Sequence, residues 1–132
     1  MFVYPESVKE DEWLRAVNKS LHPGTDYMLV KHVRLVGMML IVYVKTAHLE
    51  HVSSVRRHRR IGITGNLGNK VGVSIRFTFH STNVCMVNSH SHRVLWKGEH
   101  VYQTAYQSHM KLKVSDNKPV SAVIQAGMKV VD

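Results

Sequence analysis

Residues 71–79 alternate between apolar side chains and small, polar or charged ones at every position. A β-strand points successive side chains to opposite faces, so this pattern predicts a strand with one face in a core. With 132 residues, of which 44% are hydrophobic, the chain is long enough for one domain with a modest core and too short for two. The apolar positions of the alternating run are Val71, Val73, Ile75, Phe77 and Phe79.

Further strands are predicted on both sides of this run. The polar link at residues 81–83, followed by residues 84–89, indicates a hairpin with the first strand. Residues 27–35 and 38–44 are rich in β-branched and apolar side chains, which favours two adjacent strands, the second of them buried on both faces. Residues 120–131 predict one more strand.

One helix is predicted near the start of the chain, over residues 8–20. Ser7 followed by Glu10 forms a capping-box pattern, and apolar side chains, among them Trp13 and Val17, recur at helical spacing. Large side chains that we interpret as core packing are Trp13, Trp96, Met38 and Met39.

The charge of the chain is strongly positive. Eighteen Lys and Arg against nine Asp and Glu give a formal net charge of +9, which favours phosphorylated lipids, soluble polyphosphates or nucleic acid as partners. The most basic stretch, residues 56–60, is interpreted as a solvated loop, with a patch for an anionic membrane or nucleic acid as the alternative. The glycine-punctuated residues 62–72 are interpreted as a structural turn, with a backbone cradle for phosphate as the alternative.

Cysteine content and hydropathy restrict the compartment. The single cysteine, Cys85, cannot form an internal disulfide, so we expect a reducing environment. The longest apolar run, residues 35–44, is about half of what a bilayer-spanning helix needs, so we expect a soluble, intracellular protein. Ten histidines include His48 and His51 at helical spacing, but no Cys or carboxylate set completes a zinc shell, and we expect no zinc.

Three stretches occur in a characteristic order and spacing. They are residues 33–40 (Val-Arg-Leu-Val-Gly-Met-Met-Leu), 64–73 (Thr-Gly-Asn-Leu-Gly-Asn-Lys-Val-Gly-Val) and 88–90 (Asn-Ser-His). Together they resemble the inositol polyphosphate 5-phosphatase family, and residues 93–98, 106–110 and 115–121 look like the end of the same catalytic domain. The resemblance covers nearly all of the chain and is closest to the type II and Lowe-syndrome members.

The resemblance implies an α+β fold, a partial endonuclease/exonuclease/phosphatase-like (DNase I-like) β-sandwich with flanking helices. It also implies Mg²⁺-dependent removal of the 5-phosphate from inositol headgroups. Residues 1–132 would form a single, partial catalytic domain. The family's Gln-Glu strand would precede Met1, and its central Trp-x-Gly-Asp-x-Asn segment has no counterpart, which indicates a join near residues 90–93. His92 stands where the family has Asp before Arg93.

The resemblance assigns the catalytic positions to three residues. His90 corresponds to the histidine that contacts the scissile phosphate, although it could also simply end a strand. Asp116 is the one carboxylate retained from the family's metal-binding elements, so it offers only a weak, incomplete Mg²⁺ site. Asn117 stands where the family has histidine, and an amide cannot titrate as an acid or base.

The resemblance also assigns residues that bind headgroup phosphates through ammonium, guanidinium, hydroxyl or carboxamide groups. They are Asn69, Lys70, Arg93, Tyr106 and Lys113. Gln107 occupies a place where relatives carry arginine, so one bidentate phosphate contact is lost. The alternative for these positions is a solvated surface.

One leading function and two alternatives follow. The leading hypothesis is a 5-phosphatase fragment with little or no activity; the alternatives are a non-catalytic phosphoinositide-binding module and a non-functional splice product. The expected partners are phosphoinositide lipids or soluble inositol polyphosphates, with peripheral membrane contact and without nucleic acid. We expect a cytoplasmic location that includes the surfaces of endosomal, Golgi or plasma membranes.

Overall fold

The computed structural model describes residues 6–35, 38–61, 71–89, 96–111 and 120–128. One α-helix and seven strands occur in these residues, with a short 3₁₀ helix between the second and third strands. In chain order the elements are α1 (Glu6–Ser20), β1 (Tyr27–Leu35), β2 (Met38–Lys45), the 3₁₀ helix (Thr46–His51), β3 (Val52–Ile61), β4 (Val71–Phe79), β5 (Thr82–Ser89), β6 (Val101–Ser108) and β7 (Val120–Ala126).

The described strands form three antiparallel sheets. β1 pairs with β2, the three strands β3, β4 and β5 pair in that order, and β6 pairs with β7. The predicted helix, the two early strands and the hairpin of β4 and β5 are thereby confirmed. A two-residue turn, His80 and Ser81, joins β4 to β5 and places Phe79 opposite Thr82.

The core lies between the first two sheets. Val33 and Val42 from the β1–β2 sheet pack against Val73, Ile75 and Phe77 from β4. The alternation of β4 explains this arrangement, because its odd-numbered residues share one face while Arg76 points to the opposite, exposed face. The result is a two-layer β-sandwich whose central strand was predicted from its alternation.

Three details of the sequence interpretation are wrong. β2 is not buried on both faces, since only Met38 and Val42 along it are buried and one layer alone covers it. The basic stretch at residues 56–60 lies within strand β3 rather than in a loop, because antiparallel pairing with β4 satisfies its backbone groups. β7 ends at Ala126 instead of continuing to residue 131, of which residues 129–131 lie outside the described part.

Both tryptophans lie outside the core. The side chain of Trp13 is 64% exposed on α1 and that of Trp96 is 45% exposed, which corrects their assignment to core packing. One polar contact joins helix α1 to the β1–β2 sheet, since Glu10 Oε1 lies 2.6 Å from Nε2 of His32. The helix stripe at Leu14 and Val17 is half-buried.

Only β7 of the β6–β7 pair was predicted, because no pattern in residues 101–108 indicated a strand. Large apolar side chains on the pair stay exposed, 59% for Tyr102 and 60% for Val123. None of its residues belongs to the buried core formed by the described residues of the two other sheets. Whether residues 1–132 form one partial domain with a join near 90–93 stays a prediction, because residues 90–95 lie outside the described part.

Candidate functional site

Two neighbouring strand pairs end together at one end of the larger sheet. Gly72, near the start of β4, pairs with Ser89, the last residue of β5. On the other side of β4, Val71 pairs with Ile61, the last residue of β3. The last residue of β3, the first residues of β4 and the last residue of β5 therefore lie next to one another at one end of the sheet.

The end of β1 and the start of β2 lie at this same end of the sandwich. Leu35 ends β1 and is the register partner of Met38, which begins β2. One residue further along, the backbone oxygen of Met39 accepts a hydrogen bond of 2.9 Å from Nδ2 of Asn88 on β5. This partly buried bond joins the two layers close to the strand ends. It stabilises the contact, because a buried amide without a partner would carry a desolvation cost.

Segments with family motifs start or end at this edge. Lys70 directly precedes the first residue of β4, and His90 directly follows the last residue of β5. Their own placement lies outside the described residues, and so does that of Asn69, Arg93, Lys113, Asp116 and Asn117. These seven assignments stay predictions. What the structure establishes is that the strand ends from which Lys70 and His90 continue lie side by side.

Tyr106 is the one predicted headgroup residue that the structure describes. It lies on β6 opposite Ala122 of β7, and its side chain is 43% exposed. A phenolic hydroxyl at this exposure can donate to a phosphate oxygen. Tyr106 belongs to the hairpin that the core does not include, so the described residues do not bring it to the sandwich edge near Ser89.

The described residues do not supply the ligands that magnesium prefers. None of their His, Cys, Asp and Glu side chains form a group of three or more that could hold a metal ion. Two of the carboxylates face histidines instead, Glu10 at His32 and Glu50 at His51, the latter at 3.5 Å. Because Mg²⁺ needs several hard oxygen ligands, these separate carboxylates of the described residues do not form a site for it, and Asp116 as a metal ligand stays a prediction.

Sequence patterns missed a cluster of three histidines at the opposite end of the sandwich. The rings of His51 and His80 stack with centroids 4.0 Å apart, and His48 lies edge-on to His80 at 5.9 Å. The His80 backbone N–H donates to the His51 carbonyl at 2.8 Å, while its ring Nδ1 is buried without a hydrogen-bond partner. The helical spacing of His48 and His51 was visible in the sequence, but the arrival of His80 depends on the β4–β5 turn.

The cluster makes the stability of the fold depend on pH. Burial, followed by the charges of His51 and His48, lowers the pKa of His80 below its ordinary 6.5. The folded chain therefore binds this proton less readily than the unfolded chain, so the stabilisation is complete above about pH 6.5 and is lost as the pH falls below it. We expect the melting temperature to drop between about pH 7.5 and about pH 5.

A His80→Asn variant provides the control for this pH dependence. His80 has a positive φ of 54°, a conformation that asparagine tolerates better than most residues. The variant should show a smaller drop of melting temperature over the same pH interval, measured by circular dichroism. An identical drop in both proteins would show that other groups produce it.

No helix among the described residues is both long and apolar enough to cross a membrane. Three arginines of β3, namely Arg56, Arg57 and Arg59, are exposed to solvent. The solvation of these three side chains is as expected, although they lie in a strand rather than in a loop.

Comparison with known proteins identifies a matching family and several relatives of this chain. Residues 1–93 match the family described as Endonuclease/Exonuclease/phosphatase family 2. The type II inositol 1,4,5-trisphosphate 5-phosphatase of Mus musculus is 50% identical over 90 residues, which are 67% of this chain and 9% of that protein. Synaptojanin-2 of Homo sapiens is 31% identical over 110 residues, which are 83% of this chain and 7% of that protein. The chain thus spans less than a tenth of these relatives.

A solved structure shares the architecture. It is the inositol polyphosphate 5-phosphatase domain of SpSynaptojanin in complex with inositol (1,4)-bisphosphate and calcium ion. The two chains superpose with a TM-score of 0.52 at 30% identity, over 63% of this chain and 25% of that one. This likeness confirms the predicted fold, a partial endonuclease/exonuclease/phosphatase-like β-sandwich.

Proposed function

This chain belongs to the inositol polyphosphate 5-phosphatase family, and we propose that it is a shortened catalytic domain that binds phosphorylated inositol headgroups but hydrolyses them weakly or not at all. The observation that carries the proposal is that the start of β4, next to Lys70 in sequence, pairs with the end of β5, next to His90. In a fold of this kind, one relative was solved with an inositol bisphosphate bound.

Retention of binding is supported by the groups that the chain keeps. Lys70 and Lys113 supply ammonium charges, Arg93 a guanidinium fork and Tyr106 a hydroxyl. Such groups form charge-assisted hydrogen bonds with phosphate, which are stronger than neutral ones. The net charge of +9 adds long-range attraction for an anionic headgroup, whether soluble or on a lipid.

Loss of hydrolysis is supported by the groups that the chain lacks internally. No Trp-x-Gly-Asp-x-Asn segment stands between His90 and Arg93, and Asn117 replaces the histidine that follows the aspartate in the family pattern. The cofactor that we propose for an intact domain is Mg²⁺, with Asp116 as the remaining ligand here. Such an ion would neutralise phosphoryl oxygens. His90 could still donate a hydrogen bond to a phosphate oxygen without any metal.

Lys70→Ala tests the binding half of this proposal. We expect titration calorimetry with inositol 1,4,5-trisphosphate to show an affinity about tenfold lower for the variant, because one charge-assisted contact is removed. The matched control is Lys31→Ala, since Lys31 is an exposed lysine of β1. Equal affinities for the Lys70 variant and the parent chain would contradict headgroup binding at this edge.

Two other functions have an observation in their favour. The exposed arginines of β3 favour a non-catalytic phosphoinositide-binding module. The exposed Tyr102 and Val123 on β6–β7 favour a non-functional splice product, because unpaired apolar surface promotes aggregation. We extend the leading proposal to a cytoplasmic location with peripheral contact to endosomal, Golgi or plasma membranes, on the strength of the positive charge.

A further inference from the structure

The outer face of the β3–β4–β5 sheet carries a basic groove away from the sandwich core. On β4, Ile75 and its face neighbours point inward, so Ser74 and Arg76 stand on the outer face. The register places Arg56 of β3 directly opposite Arg76 and places His58 opposite Ser74. Two cross-strand pairs in succession thus set basic and hydroxyl groups side by side.

This arrangement costs stability unless an anion offsets it. Like charges directly opposite each other on neighbouring strands repel. Residues 51–98 contain no Asp or Glu, so the sheet has no acidic residue of its own. Among the residues that the structure describes, no carboxylate forms an ion pair with Arg56 or Arg76. The repulsion between the two guanidinium groups is therefore uncompensated within the described chain.

The groove has the size and the donors of a small-anion site. It encloses about 540 Å³ and is lined by Arg56, Arg57, His58, Ser74 and Arg76. Volumes of this order are typical of small-molecule sites. Guanidinium forks match phosphate oxygens in pairs, and a serine hydroxyl can donate one further hydrogen bond.

We propose that this groove is a second anion site, which takes a phosphomonoester group of a phosphorylated headgroup between Arg56 and Arg76. The proposal does not depend on hydrolysis or on Lys70, because the proposed anion ligands Arg56 and Arg76 are mid-strand residues of the outer face. The phosphomonoester can come from a soluble inositol polyphosphate or from a phosphoinositide in a membrane, and the chemistry of recognition is the same.

The face is less suited to nucleic acid, because its described positions carry no Phe, Tyr or Trp and His58 is their one aromatic ring. Single-stranded nucleic acids are held by aromatic side chains on which bases stack. The phenylalanines of β4, Phe77 and Phe79, face or pack against the core instead. On the neighbouring strand β5 the outer face presents Cys85 and Val87, neither of them aromatic.

Cys85 provides a reporter for occupancy of the groove. It is the chain's single cysteine, it is exposed, and it lies directly opposite Arg76. Directly opposed side chains in an antiparallel pair have Cβ atoms about 5 Å apart. An anion held by Arg76 should therefore slow alkylation of Cys85 by a maleimide, through both its volume and its negative charge.

The experiment measures the Cys85 alkylation rate of the full chain with three probes at equal phosphate concentration. The probes are inositol 1,4,5-trisphosphate, vesicles of phosphatidylcholine with phosphatidylinositol 4,5-bisphosphate, and vesicles of phosphatidylcholine with phosphatidylserine. We expect slowing by the first two and much less by the third, which lacks a phosphomonoester. Stronger slowing by the soluble probe assigns the site to soluble headgroups, and stronger slowing by the phosphoinositide vesicles assigns it to the membrane.

Arg56→Gln with Arg76→Gln removes the site while keeping polar side chains on the strand. We expect the probe concentration for half-maximal slowing to rise by at least about tenfold, because each charge-assisted contact contributes on that order. The charge-matched control is Arg15→Gln with Lys19→Gln, two exposed positions on α1. The Lys70→Ala chain should keep full protection of Cys85, which separates this site from the one proposed above.

Folding of the double variant is checked by its thermal melt without anion. Removing two opposed positive charges should leave the melting temperature unchanged or raise it at low salt. The proposal is overturned if the double variant melts normally and its Cys85 is still protected. It is also overturned if the α1 control loses protection equally, or if a single-stranded oligonucleotide protects Cys85 as well as the inositol phosphate does.

Discussion

Phosphate release from inositol 1,4,5-trisphosphate in the presence of Mg²⁺ will be at least about a thousandfold slower with this chain than with the catalytic domain of the mouse type II relative. The physical reason is the loss of a hard oxygen ligand, since the carboxylate of the family's central Trp-x-Gly-Asp-x-Asn segment has no counterpart between His90 and Arg93. Without a fixed divalent ion, charge that develops on the phosphoryl oxygens is stabilised only by the remaining basic groups. Release of inorganic phosphate over many turnovers is the measurement.

A gain-of-function chain provides the control for this expectation. Inserting the relative's missing central segment after His90, together with Asn117→His, should raise the rate and make it sensitive to a chelator. If the unmodified chain instead released phosphate rapidly, and Asp116→Asn abolished that release, the incomplete-site argument would be wrong. Binding measured by calorimetry should be similar in both chains, because the insertion adds metal ligands rather than headgroup contacts.

Replacing Ile75 by alanine will lower the free energy of unfolding by about 3 kcal/mol. Ile75 is fully buried at the centre of β4, between the two layers of the sandwich. The substitution removes apolar surface and leaves a cavity that the surrounding strands can fill only in part. Against a typical domain stability of about 5–15 kcal/mol this is a large fraction. Urea denaturation followed by circular dichroism gives the value.

The same chemical change on the β6–β7 hairpin provides the control. Ile124 is 39% exposed, so Ile124→Ala should cost less than about 1 kcal/mol. A similar loss at both positions would mean that the hairpin packs as tightly as the sandwich. A parent chain without any cooperative transition would favour the splice-product interpretation over a folded headgroup-binding domain.

Local pattern was sufficient wherever one face of an element lies on the core. The alternation of β4 predicted which of its residues are buried, and Val73 and Ile75 are indeed the most buried of them. The two early strands and the helix followed from side-chain type and spacing, and their bounds differ from expectation by two residues or fewer. In each case the spacing of the apolar side chains determines which face of the element is buried, independently of the element that packs against it.

Elements whose structure depends on a partner were predicted poorly. The basic residues of β3 have no apolar alternation, and they form a strand because β4 offers an edge for backbone pairing. β6 likewise pairs with β7, and its polar sequence gave no signal. Trp13 stays exposed because no described layer covers its side of α1.

For the candidate site, too, the sequence supplied some of the information and the structure supplied the rest. Motif order in the sequence named Lys70, His90 and Asp116, and these assignments stay predictions; the comparisons support the family and not the individual residues. Those residues lie outside the described part, so the structure contributes the strand ends beside them rather than their geometry. The sequence interpretation noted the spacing of His48 and His51 but did not predict that His80 joins them.

The sequence by itself determined the family, the two-sided character of β4 and the lack of acidic residues along the central sheet, because composition and period are local properties of the chain. Only the tertiary structure decided that Arg56 stands opposite Arg76 and that His80 stacks on His51. Both pairings arise from antiparallel register and turn geometry, which bring together residues far apart in sequence, and side-chain spacing along one strand carries no information about them.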